Sequence, residues 1–81
     1  MYNKNNKMNV EVINMKELGE KIKKCRLEKG ITQEQAANQL KINRVTYTGY
    51  ESGKHQPSLE MLIKIADLYK TSTDYLLGRY E

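Results

Sequence analysis

The chain has 81 residues, a formal net charge of +4, one cysteine, and 38% apolar residues without Trp or Phe. That suffices for one modest core but not two. It excludes an intramolecular disulfide, and no apolar run approaches the roughly 18–20 residues that span a bilayer. The basic excess, with a pI near 9.2, is compatible with a polyanionic partner without identifying one. The lone Cys25 and a polar N-terminus without a signal-peptide core lead us to expect a cytoplasmic location and no membrane partner.

Residues 1–14 read as a flexible N-terminal tail, opening with the Asn- and Lys-rich stretch Met1–Asn9. Within the tail, Val10-Glu11-Val12-Ile13 favours β structure and reads as a linker or an added strand. From Met15 the pattern is helical, with Leu18, Ile22, Cys25 and Leu27 on one face and Lys and Glu around the rest. Gly30 supplies a left-handed residue to end this first helix. Thr32-Gln33-Glu34-Gln35 is a capping box for a second helix, which stops near Leu40 and is expected to bury Ile31, Ala36, Ala37 and Leu40. Asn43 caps a third helix from about Arg44 to Glu51 that offers Tyr47 and Tyr50 to the core. The polar segment Ser52-Gly53-Lys54-His55-Gln56-Pro57 follows as a loop. Ser58 then caps a fourth helix with Leu59, Leu62, Ile65, Ala66 and Tyr69 at helical spacing, and Ser72 caps a short fifth helix that Gly78 ends. The expectation is a compact, five-helix, all-α domain over residues 15–78, with 79–81 as its C-terminal end.

The second and third helices, joined by a turn of a few residues, form the arrangement that places one helix in a DNA major groove. Such pairs also occur in helical domains that bind no DNA. With one His and one Cys, no glycine-rich phosphate loop and no metal-ligand spacing, an enzyme, a metal site and a cofactor all lack support.

Several separated motifs narrow the choice: Leu18-Gly19 with Ile22, Arg26 and Gly30; Thr32-Gln33 with Ala36-Ala37; Tyr50-Glu51 with Gly53; Pro57-Ser58-Leu59; and Asp74-Tyr75-Leu76-Leu77-Gly78. In this order and at these spacings the chain resembles the Cro-type, phage-repressor-like helix-turn-helix family, often called the XRE family, over about three quarters of its length. The resemblance implies that the second helix crosses the DNA backbone and the third is the recognition helix. It implies DNA-facing roles for Gln33, Asn43, Arg44, Val45, Thr46, Thr48, Gly49 and Lys54, with His55 and Gln56 in a loop along the backbone. Gln33 matches a phosphate-contacting position that also supports the recognition helix. Arg44 has the planar fork that takes guanine O6 and N7 together, whereas Val45 offers only van der Waals contact. Arg26 and Glu51 match a structural ion pair. Cys25 stands at a family Leu position, which favours packing over chemistry.

Two departures stand out. Lys41 occupies a turn position where the family most often has Gly, and a positive φ there costs Lys about 1 kcal/mol. Gly49 stands where relatives often carry a long polar or basic side chain, and a mid-helix glycine costs roughly 0.5–1 kcal/mol against Ala. The function these residues imply is a sequence-specific, double-stranded-DNA-binding transcriptional regulator, a repressor, acting as a homodimer on a pseudopalindromic operator. Tyr75, Leu77 and Tyr80 are the candidate dimer residues. The alternative is an antitoxin or anti-regulator whose main role is to hold a protein partner.

Overall fold

The computed structural model describes residues 14–79; the tail through Ile13 and the dimer candidate Tyr80 lie outside the described residues. Five helices follow in order: α1 (Met15–Lys29), α2 (Gln33–Leu40), α3 (Arg44–Ser52), α4 (Leu59–Leu68) and α5 (Thr73–Leu77). Among the described residues there is no strand. The described residues form the expected five-helix, all-α arrangement.

Each helix starts on a side-chain cap. Asn14, Thr32, Asn43, Ser58 and Ser72 accept hydrogen bonds from the backbone N–H three residues on, and the Thr32–Gln35 box is complete in both directions. Four of the five helices end on a left-handed residue, and at α2 that residue is Lys41, with φ 61° and ψ 42°. The turn between α2 and α3 therefore keeps the geometry that normally selects glycine, and Lys41 bears its cost.

The core is built from Leu18, Ile22, Ala36, Ala37, Leu40, Tyr47, Tyr50, Leu62, Ile65, Ala66 and Leu76. Three apolar expectations need correction. Leu27 is 59% exposed, because the inward stripe of α1 runs through Leu18, Gly19, Ile22 and Arg26, and Leu27 points about 100° away from Arg26. Ile31 is not part of α2; it lies half-buried just before the Thr32 cap, packed against the core from the position of a hydrophobic staple. Leu59 shares the spacing of α4 but is 74% exposed at its first turn.

Gly19 sets the approach of α1 to α3. It is buried mid-helix, and a Cβ there would overlap the backbone carbonyls of Tyr50 and Glu51. The helix-propensity cost of this glycine is offset by near backbone-to-backbone packing. The close packing brings Arg26, on the inward stripe of α1, to the end of α3.

Candidate nucleic-acid interface

Glu51, in the last turn of α3, organises the junction of three helices. Its carboxylate accepts from Arg26 Nε at 2.7 Å and Nη2 at 3.3 Å, a bidentate pair whose side chains are 11% and 3% exposed. The Arg26 Nη1 donates to the Ile31 carbonyl at 3.0 Å, tying the pair to the loop before α2. Burial alone would raise the Glu51 pKa. Hydrogen bonds from Arg26, Tyr47 and Gln33 outweigh it and hold the carboxyl below its usual range. The pairing with Glu51 likewise keeps the Arg26 guanidinium firmly charged.

The same carboxylate reaches the helix-turn-helix itself. Gln33, first residue of α2, donates Nε2–H to Glu51 Oε1 at 3.0 Å, and its Oε1 accepts from the Thr48 hydroxyl at 3.2 Å. This chain of bonds fixes the angle between α2 and α3 from inside. On the other side, the Tyr47 and Tyr69 hydroxyls meet at 2.6 Å, joining α3 to the end of α4. Burial pushes both phenols up in pKa, so they remain neutral donors and acceptors. That tyrosine pair carries no sequence signature, since it depends on how α4 returns against α3.

What α3 presents outward is a shallow concavity of about 510 Å³, lined by Gln33, Arg44, Val45, Thr48, Gly49, Ser52, Lys54 and His55. Six of the eight residues expected to face DNA are brought together here. Asn43 and Thr46 lie beside the lining: Asn43 Oδ1 is occupied as the α3 cap, accepting from the Thr46 N–H at 2.7 Å. Gly49 lines the concavity but is buried beneath the His55 imidazole. Val45 is 76% exposed, an apolar group left in water on the outer face. Ser52 and His55 complete the lining. His55 is expected in a loop along the DNA backbone, and the turn at Gly53 folds it back over α3 instead; Ser52, the last residue of α3, carries no DNA role in the sequence reading.

Among the described residues no acid lines this surface. The helix dipoles add to the asymmetry. The other four helices carry an acid in the first turn, namely Glu17, Glu34, Glu60 and Asp74, whereas α3 has none and begins on Arg44. A cation at a helix N-terminus is unfavourable by roughly 0.3–1 kcal/mol, and an approaching anion reverses that sign. Cys25 is half-buried on α1, its thiol pKa raised by burial and then by Glu28, so it stays protonated. Among the described residues no group of His, Cys, Asp or Glu is placed to hold a metal ion, and no helix is long and apolar enough to cross a membrane.

The model of the helix-turn-helix family matches residues 22–76. Among curated relatives, the HTH-type transcriptional regulator ImmR of Bacillus subtilis is 41% identical over 64 residues, 79% of this chain and 50% of its own length. The SPbeta prophage-derived uncharacterized HTH-type transcriptional regulator YonR, also of Bacillus subtilis, is 46% identical over 59 residues, 73% of this chain and 55% of its own. The chain thus spans about half the length of these relatives. Among solved structures, the P22 c2 repressor protein in complex with a synthetic operator superposes with a TM-score of 0.73 at 25% identity, covering 78% of this chain and 96% of that one.

Proposed function

We propose that this chain, which belongs to the helix-turn-helix family, binds double-stranded DNA sequence-specifically through the outer face of α3 and represses transcription. The observation that carries the reading is the charge pattern of α3. A helix braced from within by Glu51 and Gln33 presents a concavity that no acid among the described residues lines, with Arg44 at its N-terminus and Lys54 just beyond its C-terminus. In this reading Arg44 reads a base edge in the major groove, Val45 packs against a thymine methyl, and Lys54 binds phosphate. Gln33 positions α3 through its amide, while the first backbone N–H groups of α2 face a phosphate. Asn43 and Thr46 flank the contact at the start of α3. The regulator names of ImmR and YonR, and the operator bound by the P22 c2 repressor, support the same assignment.

One recognition helix reads only a few base pairs, so the reading includes a homodimer on a pseudopalindromic operator, with half-sites about 34–36 Å apart on one face of the duplex. Leu77 and Tyr75 are half-buried against the core, so only part of each is offered to a second copy. Selection of bound sequences from random duplex DNA tests the proposal. It predicts one enriched motif with two inverted half-sites. No enriched motif, alongside tight capture of a protein partner, would support the antitoxin reading instead.

A further inference from the structure

The outer face of α3 lacks a side chain at its centre, and a residue from outside the helix fills the gap. Val45, Gly49 and Ser52 share one stripe by helical spacing. At position 49 a Cβ would overlap Cγ and Cδ2 of His55, so the imidazole rests directly on the glycine backbone. The main chain that carries the ring is fixed over α3, since the backbone N–H groups of Lys54 and His55 both donate to the Gly49 carbonyl, at 3.0 and 3.1 Å.

The remaining polar groups of the concavity divide into those already engaged and those directed outward. The Thr48 hydroxyl and the Gln33 amide bond to each other, and the Ser52 hydroxyl donates to the Gly49 carbonyl at 3.2 Å. Among the lining residues, the side chains of Arg44, Lys54 and His55 have no hydrogen bond within the described protein. Lys54 is a flexible point charge suited to phosphate, whereas an imidazole is a rigid plane with a directed N–H.

We infer that His55 is a second base-reading residue of the interface, standing in for the side chain that position 49 lacks. This rests on the duplex-DNA reading proposed above. A ring N–H placed over the second turn of the recognition helix suits a purine N7 or guanine O6 at a base pair next to the one read by Arg44. Gly49 is then the residue that makes room for the reader, and its helical cost is the condition for seating the ring.

The test compares wild type, His55→Ala, Gly49→Ala and the double variant, each bound to the duplex selected by the wild type and to random duplex, with folding checked by thermal melting. His55→Ala should lose roughly tenfold in affinity for the selected site and change by less than about twofold on random duplex. It should also flatten preference at one base pair per half-site, different from the pair flattened by Arg44→Ala. Gly49→Ala displaces the ring and should flatten the same position, and the double variant should lose no more than His55→Ala alone. An equal loss on both DNAs would make His55 a phosphate contact and overturn the inference, as would an unchanged base preference. A wild-type chain that prefers no sequence would overturn the DNA reading itself, a different result from either.

Discussion

Gln33 and Glu51, eighteen residues apart, are joined by a 3.0 Å hydrogen bond from the first turn of α2 to the last turn of α3. The bond makes α3 part of the same network that holds α1 through Arg26. Orientation of α3 and stability of the fold are therefore coupled through one carboxylate.

Removing that carboxylate should unfold the domain readily. Glu51→Ala leaves the Arg26 guanidinium buried without its partner, and such breakage costs about 3–5 kcal/mol. Chemical denaturation of Glu51→Ala beside wild type measures the loss directly. Acid should act the same way. Because the folded pKa of Glu51 lies below its ordinary value of 4.5, the stabilisation is fully present above that pH and is lost as pH falls through the folded value. Glu51→Gln should be less stable at neutral pH and show a shallower acid limb in its denaturation midpoints.

Close helix packing predicts a second loss. Gly19→Ala adds one methyl group where the Tyr50 and Glu51 carbonyls already stand. Despite alanine's better helix propensity, the variant should be destabilised by at least about 1–3 kcal/mol. A melting temperature at or above that of wild type would show that α1 can move away without cost.

The turn between α2 and α3 predicts a gain. Lys41 holds φ 61°, and glycine adopts that conformation freely. Lys41→Gly should stabilise the fold by up to about 1 kcal/mol, the strain relieved less the entropy glycine adds to the unfolded chain. Equilibrium unfolding resolves a change of this size.

These residues also mark what is legible in sequence and what is not. Caps are local, so Asn14 aside, the starts at Thr32, Asn43, Ser58 and Ser72 and the stops at Gly30 and Gly78 follow from the residues alone. Apolar periodicity put Leu27 inward because a charged residue reads as surface. Arg26 takes the inward stripe only because Glu51 meets it from 25 residues away. The His55 ring over Gly49 is hidden for a similar reason, since it depends on the reversal at Gly53, where φ is 84°. The outer residues of α3 were readable as a set, but their division into braced and outward-facing groups required the partners Gln33 and Glu51.

At the interface, the two cations should separate by kind of contact. Arg44→Ala should cost about 1–3 kcal/mol on the preferred site and flatten discrimination at one base pair. Lys54→Ala should weaken specific and random duplex about equally and lower the salt slope by roughly one unit. Fluorescence anisotropy over a range of salt concentrations distinguishes the two.

The central claim is that the outer face of α3 discriminates among DNA sequences. Its most direct test is the ratio of Kd for random duplex to Kd for the selected operator, measured in one buffer at fixed, near-physiological salt. A specific regulator should show a ratio of at least about a thousandfold, falling when the two half-sites are moved half a helical turn apart. A ratio near one, unaffected by half-site spacing, would contradict it.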